Sequence, residues 1–179
     1  MTEQTHIELT DYIRTIPDFP KPGIQFRDIT PLLAAPEAFR ETIDRLADHV
    51  RGRQIDLIAA AEARGFLFAA PLALALDVGL VPIRKPGKLP FDTHAFHYEL
   101  EYGTDSLEIH IDSMARDQRV LLVDDLLATG GTMEACCKLV EQAGAQVAGC
   151  AFVIELIGLG GAQRLADYNP FSLITYDEG

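Results

Sequence analysis

The sequence predicts an α/β fold in which a mostly parallel β-sheet is flanked by helices, and three observations predict it. From "IDLIAAAEARG" onward, short apolar runs alternate with stretches of helical periodicity, the signature of βαβ units. The strand-like runs "VGLVPI" and "QRVLLV" are apolar almost without interruption, as strands covered on both faces must be. The chain has 179 residues and is 48% hydrophobic, enough for one domain with a substantial core. No internal repeat, low-complexity segment or linker divides residues 1–179, and right-handed crossovers are expected.

The elements follow in order. "HIELTDYIRTI" sets Ile7, Leu9, Tyr12, Ile13 and Ile16 at the spacing of a short helix, which "PDFPKPG" breaks. "IQFRDITPLLAAP" reads as irregular or briefly extended. "PEAFRETIDRLADHVRGR" is a helix with Pro36 in its first turn and Phe39, Ile43, Leu46, Ala47 and Val50 on one face. "IDLIAAAEARG" is a strand running into a charged turn. "FLFAAPLALALD" is a helix that either tolerates Pro71 or kinks there, and "VGLVPI" is the next strand. "RKPGKLPFDTHA" is a basic loop. "FHYELEYGTDSLEIHID" alternates apolar and polar residues about a Gly103-Thr104-Asp105 turn, so 84–111 form a basic loop and a hairpin flap. "QRVLLV" is a strand, "GGTMEACCKLVEQAGA" a helix closed by Gly144, "QVAGCAFVIEL" a strand, and "FSLITYD" the last strand.

Charge and cysteine content narrow the function. The formal net charge is −12 and the pI about 4.7, a balance that repels nucleic acid and anionic membranes, so neither is expected as a partner. Any basic cluster in this background is informative. Cys136, Cys137 and Cys150 cannot all pair within the chain, which fits a reduced, cytoplasmic setting. The first twenty residues lack the apolar core of a signal peptide, and the longest apolar stretch is interrupted by Pro71 and Asp77, so no membrane span is expected.

The chemistry concentrates in "VLLVDDLLATGGT" (Val120 to Thr132). Ligands of open parallel sheets bind beyond the carboxyl ends of the strands, where Asp124 and Asp125 follow Val123. The backbone N–H groups of Ala128, Thr129, Gly130, Gly131 and Thr132, with the two threonine hydroxyls, suit a phosphate at a helix N-terminus. The lysine of a Walker A loop is missing, so a monophosphate fits better than a triphosphate. Carboxylates for vicinal hydroxyls with a phosphate beyond describe a ribose 5-phosphate.

This stretch resembles the phosphoribosyl-pyrophosphate (PRPP) signature of type I phosphoribosyltransferases. "IPDFPKPGIQFRDITPLL", "EARGFLF", "IRKPGKLP" and "YELEYGTDSLEIH" extend the likeness over nearly the whole chain, toward the members that use adenine. The resemblance implies the type I phosphoribosyltransferase fold, with a small N-terminal hood over 1–35 that binds the base. It implies transfer from PRPP to adenine, giving AMP and pyrophosphate, with magnesium held by PRPP and water rather than by direct protein ligands, and a homodimer. It assigns pyrophosphate to Ala63, Arg64, Arg84 and Lys88, with Arg84 reaching the neighbouring subunit's site. Glu101 in the flap takes the proton of adenine, Arg64 stabilises the departing charge, and Tyr102 packs on the ligand. Phe26 stacks on adenine, with backbone readout around Gln25 and Arg27. Ala63 departs from the family, which often has Ser before the Arg-Gly pair, and Gln25 stands where the usual family side chain is not assumed.

Competing readings bear on several residues. Asp124 and Asp125 without the Thr-Gly-Gly that follows would read as solvated acids at a strand end, and Arg64 as a surface arginine. Glu101 has Glu99, Asp105 and Glu108 nearby, so an exposed acidic hairpin competes, and only the resemblance singles it out. Lys85 reads as solvated. Arg27 and Asp28 read as an internal ion pair ordering the N-terminal segment. His94 and His97 lack further ligands at metal spacing, Cys136 and Cys137 read as packing, and "GLGGAQ" (Gly158 to Gln163) reads as a turn. Two alternatives to the enzyme stand: a nucleotide- or nucleic-acid-binding regulator on the same fold, and a transferase for xanthine, guanine or orotate. Net charge argues against the first. A 6-oxopurine enzyme would commonly present a lysine to the exocyclic oxygen, and none is obvious.

Overall fold

The structure is a computed structural model that describes residues 7–100 and 103–177. A single 3-10 turn, Leu9–Tyr12, opens it. β1 (Arg14–Pro17) and β2 (Gln25–Asp28) then form a small antiparallel pair in which Ile16 faces Phe26. The helix expected to reach Ile16 therefore stops at Tyr12, where β-branched Thr15 and Ile16 favour the extended chain. α1 (Thr30–Ala34) follows, where an irregular or briefly extended stretch was expected. The Asp28 carboxylate accepts from the Thr30 amide at 2.9 Å and from its hydroxyl at 2.8 Å, and Pro31 pre-sets the first turn. Asp28 also faces Arg14 at 3.5 Å. Arg27 instead hydrogen-bonds Thr15 and stacks on Tyr176, because neighbours in a strand point to opposite faces. The expected Arg27–Asp28 pair is not formed.

α2 (Pro36–Val50) buries Ile43, Leu46, Ala47 and Val50 as its period requires. β3 (Leu57–Ala61), α3 (Gly65–Leu76) and β4 (Gly79–Ile83) make one βαβ unit, and α3 runs through Pro71 without a break. β5 (Thr93–Leu100) and β6 (Gly103–His110) form the antiparallel hairpin. Its register places Gly103 to Asp105 inside β6, opposite Leu100 to Tyr98, so the turn expected there is strand. Leu107 and Ile109 of β6 are buried. β7 (Arg119–Leu127), α4 (Gly131–Gln142) and β8 (Gln146–Leu156) make the second unit. A 3-10 turn (Ile157–Leu159), α5 (Gly161–Arg164) and a second 3-10 turn (Ala166–Tyr168) lead to β9 (Pro170–Tyr176).

The central sheet is parallel throughout, in the order β4-β3-β7-β8-β9. Strand alternation divides the core into two layers. Ile58, Ala60, Leu121, Val123, Ala151 and Val153 pack against α2 and α3. Ala59, Val120, Leu122, Cys150 and Phe152 pack against α4 and the hairpin. The chain winds outward from β3 in one direction and from β7 in the other, which puts the topological switch point between these two strands. β3 pairs with β7 only as far as Ala60↔Val123, whereas β7 continues beside β8 to Leu127↔Glu155. β7 therefore outlasts its expected end at Val123, and beyond Val123 the flank that β3 occupied becomes the wall of a crevice.

Candidate active site

Asp124 and Asp125 stand on that wall, and opposite them Arg64 leads into α3. Arg64 Nε lies 2.7 Å from Asp125 Oδ2, with the arginine side chain 52% exposed and the aspartate only 5%. The Asp124 carboxylate accepts the Asp125 amide at 2.9 Å and packs over Gly65, where a Cβ would approach Asp124 Oδ1 and Val123 O to 3.0 Å each. Burial, reinforced by the charge of Asp125, pushes the Asp124 carboxyl up to about 8.

A cavity of about 240 Å³ runs from Arg64 along Asp124, Asp125 and the loop to Met133. Ala128, Thr129, Gly130, Gly131 and Thr132 all line it. Gly130 adopts a left-handed conformation at φ 80°, which turns the chain into α4. The first-turn amides of α4 are left without helical acceptors, as an anion site needs. The hairpin docks here as well. Tyr98 hydrogen-bonds Asp105 at 3.2 Å, and the Thr132 hydroxyl also reaches the phenol. Lys85 pairs with Asp105. That ammonium holds the Asp105 carboxyl below its ordinary range, and Asp105 in turn raises Lys85. Lys85, read from sequence as solvated, is thus tied into the hairpin.

A second cavity of about 300 Å³ is lined by Glu62, Ala63, Arg64, Asp124 and Asp125, and the Glu62–Ala63 peptide beside it is cis. Glu62 accepts the Lys85 amide at 2.6 Å and Arg84 Nε at 3.0 Å. These two donors, with Lys88 nearby, draw its carboxyl below the usual range. Arg84 is also bridged through its backbone to Glu108. Lys88 is exposed and lines neither of these two cavities. Nothing in the local sequence singles out Glu62 except its place directly before Ala63 and Arg64.

The third cavity, about 370 Å³ and largely apolar, lies under the N-terminal pair between Ile16, Phe19, Phe26, Arg27, Ile29 and Arg64. The Phe26 ring meets Phe19 edge-on at 5.1 Å, and the Arg64 guanidinium lies 5.9 Å from the Phe26 centroid. Gln25 is exposed and does not line this cavity. Glu101 and Tyr102 lie outside the described residues. Among the described residues, no group of three or more His, Cys, Asp and Glu side chains could hold a metal ion. No described helix is long and apolar enough to cross a membrane.

A family model described as the phosphoribosyl transferase domain matches residues 28–176. The adenine phosphoribosyltransferase of Maridesulfovibrio salexigens is 59% identical over 168 residues, covering 94% of this chain and 99% of that protein. The crystal structure of adenine phosphoribosyltransferase from Thermoanaerobacter pseudethanolicus superposes with a TM-score of 0.91 at 57% identity, covering 94% of this chain and 98% of the other. That of the Saccharomyces cerevisiae enzyme, complexed with an imino-altritol bisphosphate and adenine, gives 0.87 at 41% identity, covering 92% and 96%.

Proposed function

The chain belongs to the phosphoribosyl transferase family, and from that premise we propose that it works in purine salvage as an adenine phosphoribosyltransferase, moving the 5-phosphoribosyl group of PRPP to adenine and releasing AMP and pyrophosphate. The observation that carries the reading is the junction at Arg64, where a polar crevice ending in a phosphate loop, a second polar cavity and an apolar aromatic cavity all share one guanidinium. Ribose with its 5-phosphate, pyrophosphate and a planar base need such an arrangement.

In this reading Asp124 and Asp125 hold the ribose hydroxyls, and Ala128 to Thr132 hold the 5-phosphate. Adenine lies against Phe26, with Gln25 and Arg27 beside it. A base nitrogen attacks the anomeric carbon while the bond from that carbon to pyrophosphate breaks. Glu101 takes the proton the base loses. Arg64 and Lys88, with the backbone at Ala63, meet the charge that develops on pyrophosphate. Closure of the flap through Tyr102 keeps water from the oxocarbenium-like centre.

Magnesium belongs to the same proposal, and it fits as a partner of PRPP oxygens and water. The ion prefers oxygen donors and keeps much of its hydration, while Asp125 and Glu62 are engaged by Arg64 and Arg84. When bound, it adds charge neutralisation at the pyrophosphate. A homodimer is inferred as well, with Arg84 turned toward the neighbouring subunit's site. It is supported by Leu67 and Leu74, two turns apart on α3 and exposed, Leu74 by 83%. Three free, buried thiols support a cytoplasmic setting.

The test is turnover with PRPP, magnesium and a panel of bases. AMP formed from adenine, with hypoxanthine and guanine inert, is the expected result. Turnover of either 6-oxopurine with adenine inert would sink the proposal.

A further inference from the structure

The stretch "GLGGAQ", which reads from sequence as a turn, packs against the back of the phosphate loop. A Cβ on Gly161 would stand 2.2 Å from the Ala128 carbonyl oxygen and 2.7 Å from Leu127 Cδ1, separations that no side chain can occupy. From the other side, a Cβ on Gly130 would meet the Gly161 carbonyl oxygen at 3.1 Å and its Cα at 3.3 Å. The two segments are thus in backbone contact at two successive points. Arg164, at the end of α5, lies under Gly131, with Nη1 3.4 Å from where a Cβ would be. Its Nε donates to Glu134 Oε2 at 2.7 Å.

We propose that Gly161 and Arg164 are positioning residues for the 5-phosphate, acting through the loop rather than touching the ligand. The inference rests on the reading that Ala128 to Thr132 hold that phosphate. Two physical effects combine. The loop amides can stay aimed at an anion only if the loop cannot fall back, and Gly161 fills the space behind it at contact distance. Glu134 lies in the first turn of α4, where a carboxylate complements the helix dipole but repels an arriving phosphate dianion. Arg164 neutralises that carboxylate and adds a cation behind Gly131, so the helix end presents its amides without an opposing charge. Nothing of this is visible locally, because Arg164 and Glu134 are separated by 30 residues.

The experiment is calorimetric titration of the full chain with ribose 5-phosphate and, separately, with magnesium pyrophosphate. Arg164→Met is expected to weaken ribose 5-phosphate about fivefold, the scale of one partly screened charge interaction, and to leave pyrophosphate unchanged. Arg164→Lys should restore most of the affinity. Adding Glu134→Gln to Arg164→Met should also restore most of it, which a merely structural role for Arg164 does not predict. Gly161→Ala should lose more, and if it fails to fold the Arg164 series decides. Wild-type affinity in Arg164→Met, equal loss of both ligands, or no recovery in the double variant overturns the inference. Thr132→Val separates the two levels. Lost ribose 5-phosphate there keeps the loop as anchor whatever Arg164 does, whereas intact affinity overturns the anchor reading and this inference with it.

Discussion

Replacing Gly65 by alanine tests whether Asp124 is held in place for a ligand. A Cβ at residue 65 would meet Asp124 Oδ1 and Val123 O at 3.0 Å and the Ala60 methyl at 3.4 Å. The Val123 carbonyl belongs to a central strand and cannot retreat, so the aspartate must move. Its Oδ1 accepts the Asp125 amide at 2.9 Å, and moving it weakens that bond. Overpacking of one methyl costs about 1–2 kcal/mol, and a compromised hydrogen bond about 0.5–1.5 kcal/mol. Against these, alanine gains about 0.5–1 kcal/mol over glycine in a helix. The net is a destabilisation of about 0.5–3 kcal/mol, or a fall in Tm of roughly 1–12 °C for a chain of this size. Because the proposed reading sets this group against the ribose, AMP affinity should drop by about tenfold, some 1.4 kcal/mol. Thermal denaturation and AMP titration on the same preparation read the two effects separately. AMP affinity equal to wild type, alongside the expected loss of Tm, would refute the placement of Asp124 in the ribose site.

Glu101→Ala should lower kcat by about 10²-fold or more, the scale of general-base catalysis, with a much smaller change in KM for PRPP; initial rates at varied PRPP check this, and unchanged turnover removes Glu101 from the mechanism. Replacing both Asp124 and Asp125 by alanine should weaken AMP and PRPP binding, read by calorimetry, and intact affinity contradicts the ribose role. The raised Asp124 carboxyl sets a pH dependence for the ligand-free protein. The folded state keeps the proton longer than the unfolded chain, so the associated stability is fully present below the ordinary value of 3.8 and is lost as pH rises through about 8. Asp124→Asn should flatten the decline of urea-unfolding stability across that window, and an unaltered slope excludes Asp124 as its source. Phe26→Ala should raise KM for adenine more than KM for PRPP, and equal changes would take the aromatic cavity out of base binding.

The sheet and its helices were legible because α2, α3, α4 and the parallel strands carry their burial in local periodicity. The link from β7 into α4 was legible too, since Thr-Gly-Gly after an apolar strand ends the strand and opens a helix. Other features depended on partners distant in sequence. β1 forms only because β2 pairs with it. β7 outlasts Val123 because β8 keeps pairing with it after β3 has stopped. The place assigned to the hairpin turn failed because Gly and Asp are turn residues by propensity, while the register with β5 draws them into the strand. α1 had a readable start in Asp28, Thr30 and Pro31. Glu62, Lys85, Tyr98 and Arg164 owe their places to contacts 22, 20, 7 and 30 residues away. Glu101 and Tyr102 rest on family resemblance and await the kinetic test.

In the proposed reading, the Arg64–Asp125 contact makes the crevice behave like an ion-exchange site. Folding has already brought a guanidinium and a carboxylate to 2.7 Å, with the carboxylate side almost dry. An anion reaching Arg64 therefore meets a counter-ion supplied by the fold, and it binds by competing with that carboxylate for one fixed cation. Affinity at this point is a selectivity between two anions. An ion that merely screens charge loosens the resting pair and the incoming one alike, so added salt weakens binding here less than it would at a lone arginine.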